Sequence, residues 1–208
     1  MQDMLEPTSG AARDASTVVL LRDTPDGLEV FLMKRSGLSD TFGEAYVFPG
    51  GKLDAHDSSP AALAALNEPA TALAHRLGEP ELHHDTAAAL YVAALRELFE
   101  EAGVLLSAAA HRPAGVSPAD WQAWLAAPAA SLNATALVPW SRWITPRMAA
   151  LSKKRFDTRF FVTEAPAGQT AVADATETVD LLWMTPAEVM DKSNGLRLMN
   201  VTEITLKH

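Results

Sequence analysis

The chain has 208 residues, room for one well-buried domain and little for a second, and its 48% hydrophobic and 21% charged residues are those of a globular protein. A formal net charge of −9 argues against general nucleic-acid binding, which needs a basic footprint. The absence of cysteine excludes disulfides, thiolate metal sites and Cys nucleophiles. Residues 1 to 15 read as a loose leader with early acids and no basic n-region before an apolar run, so no signal peptide is expected. Residues 16 to 208 then read as one domain. No stretch reaches the roughly 18 apolar residues of a membrane span, and the C-terminal LKH is not a Ser-Lys-Leu address, so the expected location is cytoplasmic.

In chain order, STVVLLRD and LEVFLMKR flank TPDG and predict a β-hairpin. AYVFPGG predicts a third strand stopped at Pro49, Gly50 and Gly51. Ala- and Leu-rich helical sequence follows, with Ser59 and Pro60 as N-cap and N1 and Pro69 as a break. A longer helix is predicted from about Asp85 or Thr86 to Gly103, a residue suited to a left-handed C-terminal stop. SPADWQAWLAA predicts a short helix, RFDTRFFVTEA and VDLLWMT predict strands, and TPAEVMDK predicts a last helix with Thr185 and Glu188 in capping-box order. Strands mixed with helices in this order suggest an α+β or α/β layered domain.

The helix ending ALRELFEEAGV concentrates the chemistry. At about 100° per residue, Tyr91, Val92, Leu95, Leu98, Phe99 and Ala102 form an apolar stripe, and Glu97, Glu100 and Glu101 project opposite. Like charges three and four apart repel, and carboxylates near a helix C-terminus oppose the macrodipole. Two readings fit: a solvated face, or a site for a hard cation such as Mg²⁺, which takes oxygen ligands. Basic residues occur at Lys34 and Arg35, ending the second strand, and in SKKRFDTR, which contains Arg155 and Arg159; Arg grips phosphate bidentately. His83, His84 and Asp85 imitate a metal site, but consecutive residues point different ways, and they read as the approach to the helix. The five tryptophans (121, 124, 140, 143 and 183) read as core and helix anchors, with Trp140 or Trp143 available to line a pocket.

GKLDAHD from Gly51 and RELFEEAGV from Arg96 resemble the two halves of the Nudix box, and FPGG precedes the first half as in that superfamily. Arg96, Glu97, Leu98, Glu100, Glu101, Gly103 and Val104 match every specified position of the second half, whereas Asp57 stands where the first half has Glu. An uninterrupted box would place its Arg at 65, so 31 residues are inserted. The helical part of the insertion, 58 to about 85, has two roles open for it: a cap beside the site or a tolerated decoration. A split box of this kind resembles the coenzyme A diphosphatase branch of the superfamily. FPGGKLDAHDSS, ALRELFEEAGVLL, PWSRWITP, KRFDTRFFV and ETVDLLWMTPAE carry the resemblance, which covers most of residues 17 to 190. The branch's upstream coenzyme A element is matched at Arg35 and Ser36, while Asp40 and Glu44 replace its later Arg and Gly.

The resemblance implies an α+β Nudix fold, an α/β/α sandwich around a mixed sheet, carrying a helical insertion. It implies cleavage of a diphosphate with Mg²⁺ or Mn²⁺ held by Glu97, Glu101, Glu100 and the Gly51 carbonyl. The catalytic group comprises Glu100, Arg96 as a brace, and Glu177, with the general base open between Glu100 and Glu177. Lys34, Arg35, Arg155 and Arg159 are the candidate substrate-binding residues. The implied partner is a small-molecule diphosphate, coenzyme A or acyl-coenzyme A first. ADP-ribose, nucleotide sugars, dinucleotides or a non-catalytic nucleotide-binding module are the alternatives. No nucleic acid or membrane is implied, and a homodimer is left open.

Overall fold

The computed structural model describes residues 11–35, 44–107, 120–127, 130–147, 155–172 and 178–207. The predicted hairpin is present: β1 (Arg13–Thr24) pairs antiparallel with β2 (Gly27–Arg35). Gly27 closes the turn at φ +126°, a conformation that side chains with a Cβ rarely adopt. β1 begins inside the expected leader, because Arg13 to Ala15 already pair with residues 156 to 158 and Ala15 also pairs with Lys52.

AYVFPGG is two strands rather than one. β3 (Tyr46–Val47) pairs with β2, and after Phe48 and Pro49 the chain changes neighbour, so that β4 (Gly50–Lys52) pairs with β1. Gly50 permits the change, since a Cβ there would lie 2.7 Å from the Thr17 Cα. A 3₁₀ turn (Ala55–Ser58) leads into α1 (Pro60–Ala64), capped by the Ser59 side chain, and α2 (Ala70–Leu77), entered through Pro69. α3 (His84–Ala102) ends at Gly103 with φ +66°, as its position predicted.

α4 (Trp121–Leu125) follows; then comes β5 (Val138–Ile144), which the sequence patterns did not reveal. Its mixture of Pro, Arg and Trp lacks alternation because it is an exposed edge strand broken by a bulge between Pro139 and Ser141. β6 (Phe156–Glu164), β7 (Thr178–Met184) and α5 (Pro186–Met190) lie where expected, and Thr185 and Glu188 form the predicted capping box. α6 (Asn200–Leu206) is an additional helix.

Among the described residues seven strands form one mixed sheet with the path β3-β2-β1-β6-β5, β4 beside β1 and β7 beside β2. The β1–β6 pair is parallel and the others are antiparallel. Val18, Leu20, Phe31 and Phe161 pack on the α3 face, while Val19, Val30, Leu32 and Phe160 pack on the opposite face beside Val189, Val201 and Leu206 of α5 and α6. This is an α/β/α sandwich.

The largest departure from expectation concerns α3. Instead of one apolar stripe and one solvated face, it is buried on all sides from Ala87 to Arg96. The sheet covers one side and the insertion covers another. Ala62 of α1 and Leu73 of α2 are fully buried in the same cluster as Tyr91 and Leu95. Alanines at 87, 88, 89, 93 and 94 let neighbouring elements approach closely. The insertion is tied to the body as well: the Leu132 N–H donates to the Ala65 carbonyl (2.7 Å), and Arg76 Nη2 donates to the carbonyls of Thr135 (3.2 Å) and Leu137 (3.0 Å). It is an outer layer of the core.

Candidate active site

Both halves of the split motif meet at the C-terminal end of α3. Arg96 is the centre of the contact, 8% exposed, and each of its five N–H groups has an acceptor. Nε and Nη2 grip Asp57 as a fork, donating to Oδ1 at 2.8 Å and Oδ2 at 2.9 Å. Nη1 donates to Glu97 Oε1 (2.8 Å) and Glu100 Oε2 (2.9 Å), and Nη2 also donates to the Lys52 carbonyl (3.1 Å). With all donors engaged, Arg96 holds the Glu97 and Glu100 carboxylates in place.

Asp57 is fully buried and also accepts from the Asp54 N–H at 2.8 Å, which closes the 3₁₀ turn as a capping box. A shorter carboxylate than the motif's Glu therefore serves because that turn brings its backbone close to α3. Sequence reasoning noticed its register but did not place it in the site. Thirty-nine residues separate Asp57 from Arg96, and only the fold joins them.

The two glycines of FPGG form the other wall. The Gly50 N–H donates to Glu101 Oε2 at 2.7 Å. At Gly51 a Cβ would overlap the Glu97 carboxylate, so this glycine is required for the close approach of β4 to the acid. Asp57, Glu97, Glu100 and Glu101 set four carboxylates against one guanidinium, an excess of three formal negative charges. Burial pushes the Glu97 carboxyl above its usual range, with Arg96 pulling it back. An all-oxygen donor set, an excess of negative charge and a cradle that a Cβ would fill suit a hard divalent cation. Glu97, Glu100, Glu101 and Gly51 are thus brought together.

Three of the predicted basic side chains, Lys34, Arg155 and Arg159, are directed elsewhere. Lys34 pairs with Tyr46 and Asp180 and shares the register of Val30 and Leu32, on the sheet face opposite α3. Arg35 is the last residue of β2, and Glu177 lies outside the described residues. Arg155 is buried and donates to the Thr145 carbonyl at 3.0 Å. Arg159 is 3% exposed and held by carboxylates: Nε and Nη2 donate to Glu79 at 2.9 and 2.7 Å, and Nη1 pairs with Asp14. Arg142 joins the same network, reaching Glu79 at 2.9 Å and Asp157 at 2.8 Å. These ion pairs clasp the end of the insertion to β5 and β6, so Arg159 braces the fold where a phosphate ligand was expected.

Trp140 does line a hollow, of about 300 Å³, with Leu77, Pro139 and Arg142. Gly51, Ser16, Arg159 and Arg142 occupy one rung across β4, β1, β6 and β5, so the hollow stands about 14 Å from the acid site, three strand spacings away. Ser16 fixes the middle of α3 on that rung, its hydroxyl donating to the Leu90 carbonyl at 2.7 Å.

The comparisons agree with this geometry. Residues 12–198 match the family model described as the NUDT19 Nudix domain. The chain is 28% identical to the human acyl-coenzyme A diphosphatase NUDT19 over 248 residues, covering 92% of this chain and 66% of that protein. It is 30% identical to the chicken protein of the same name over 240 residues, covering 86% and 62%. The chain thus spans between about half and two thirds of the length of the curated relatives it matches, 54–66%. A crystal structure of a Nudix hydrolase from Alicyclobacillus acidocaldarius superposes with a TM-score of 0.71 at 25% identity, covering 96% of this chain and 91% of that one. A split motif reassembled around Arg96, on a sandwich that superposes on a Nudix hydrolase, accounts for the family match over residues 12–198: the chain belongs to the NUDT19 Nudix domain family.

Proposed function

We propose that this chain is a divalent-metal-dependent diphosphate hydrolase acting on coenzyme A or acyl-coenzyme A, with 3′,5′-ADP and (acyl-)4′-phosphopantetheine as products. The acid cluster braced by Arg96 carries the hydrolase reading, and the names of the human and chicken relatives support the substrate. Glu97 and Glu101 are the principal ligands, with Glu100 and the Gly51 carbonyl completing the set. Mg²⁺ or Mn²⁺ there supplies charge neutralisation at the phosphates and acidifies bound water.

Arg96 keeps Glu97 and Glu100 turned inward while leaving Glu100 partly exposed, which suits it to orient or deprotonate water. Glu177 remains the other candidate base. Asp40 and Glu44, in place of the Arg and Gly of the coenzyme A element, favour a second reading: ADP-ribose, a nucleotide sugar or a dinucleotide as substrate. A substrate panel with Mg²⁺ or Mn²⁺ decides between them by product: 3′,5′-ADP supports coenzyme A and AMP the alternative. No turnover of any diphosphate would favour a nucleotide-binding module.

A further inference from the structure

At the start of α3, three side chains that were expected to diverge come together. His83 is the N-cap, in extended conformation, and the turn into the helix sets its ring beside that of His84, with centroids 4.2 Å apart and 31° between planes. Asp85 completes the group. His83 Nδ1 lies 3.8 Å from one of its oxygens, His84 Nε2 lies 3.4 Å from the other, and the three donor atoms are all within 4.8 Å of one another. Zinc bonds to imidazole and carboxylate of about 2.0–2.2 Å set the donors of a tetrahedral site about 3.4 Å apart. Each imidazole therefore lies near that separation from its own oxygen of Asp85, and the three donors need to draw in by at most about 1.4 Å, from within 4.8 Å of one another to the spacing of a bound ion.

We propose that His83, His84 and Asp85 bind a late first-row divalent cation such as Zn²⁺ or Ni²⁺, with its remaining positions open to solvent. The donor set selects the ion: two imidazoles with one carboxylate suit zinc, nickel or copper, whereas the all-oxygen cluster at the other end of α3 suits Mg²⁺ or Mn²⁺. Glu97 is thirteen residue steps of helix from His84, about 20 Å, so the two sites fill independently.

Two local effects oppose binding. The N-terminal end of the helix macrodipole repels a cation, but Asp85 sits in the first turn and opposes it. The capping bond from the Asp85 N–H to His83 Nδ1 is long at 3.3 Å and is the weaker claim on that lone pair. Both are small beside three coordinate bonds. Among the described residues this is the group of histidines and acids whose donor atoms converge; in the acid cluster, by contrast, Glu97 and Glu100 turn toward Arg96.

The test is calorimetric titration of ZnCl₂ into the EDTA-treated full chain, with Mg²⁺ in excess so that the acid cluster is saturated. One zinc per chain is expected, with binding abolished in the His83→Ala/His84→Ala double variant. Asp85→Asn should weaken it at least about tenfold, the loss that even an outer partner of a metal site can cause. His56→Ala, whose ring meets a lone Asp54, is the control and should bind as the parent does. All three proposed ligands are exposed, so unchanged circular dichroism is expected throughout. Zinc binding at parental affinity by the double variant, no loss in Asp85→Asn, or no binding by the parent at 100 μM zinc each overturns the proposal.

Discussion

Replacing Asp57 by Asn tests the brace that assembles the acid site. The change is nearly isosteric, and the amide oxygen can still accept from the Asp54 N–H or from one donor of Arg96. It cannot serve the whole fork: an amide NH₂ would face one of the two guanidinium donors, and the negative charge opposite Arg96 is lost. Asp57 is fully buried and Arg96 is 8% exposed, so solvent screens little of this. Removing one partner of such a pair costs about 3–5 kcal/mol, against a total stability of about 5–15 kcal/mol for a native domain. In a chain of this length each kcal/mol lowers Tm by about 2–4 °C, so a fall of roughly 6–20 °C is expected. Urea denaturation should give the free-energy loss directly, and turnover measured well below the new Tm separates site from fold. With its main anchor gone, Arg96 should hold Glu97 and Glu100 less firmly, and kcat should fall by more than tenfold. A loss below about 1 kcal/mol, the worth of an exposed pair, would refute the buried brace. Normal kcat in a destabilised variant would show that Arg96 supports the fold without positioning the acids.

Glu101→Gln should lose at least a hundredfold in kcat while stability changes by no more than about 0.5 kcal/mol, because the amide oxygen keeps the Gly50 N–H bond; near-normal turnover at saturating metal would remove Glu101 from the ligand set. Mg²⁺ or Mn²⁺ at a hundredfold excess over Kd should stabilise the chain by about 2.7 kcal/mol, raising Tm by roughly 5–11 °C; an unmoved melting curve would count against a preformed site. Gly51→Ala should weaken metal binding, measured by Mn²⁺ titration, because its Cβ displaces the Glu97 carboxylate; unchanged affinity would show that β4 yields freely. Leu73→Ala should cost about 2–5 kcal/mol in chemical denaturation, and a Gly-Ser linker in place of the insertion should prevent folding, since the outer face of α3 would be stripped; a folded, active linker variant would restore the decoration reading.

Local chemistry was sufficient wherever the deciding partner lies within a few residues. TPDG closes the hairpin, Ser59 and Thr185 cap their helices, and Gly103 ends α3, since each of these signals acts over one turn of backbone. The motif itself placed Glu97, Glu100 and Glu101 on one helix end beside two glycines. Tertiary structure decided everything that depends on a distant partner. Periodicity indicated which side of α3 meets the sheet, but alanine is equally at home exposed or buried, so nothing in the helix announced that the insertion would cover its other side. In the same way a lone Asp57 and an arginine 39 positions away carry no mutual signal until a buried fork joins them. Arg159 looked like a phosphate ligand because its charge was visible and its neutralising partner, Glu79, stands 80 residues earlier in the chain. Charge is a property of the residue; whether it is free to bind is a property of the fold, because burial compels each charge to find its partner before any ligand arrives.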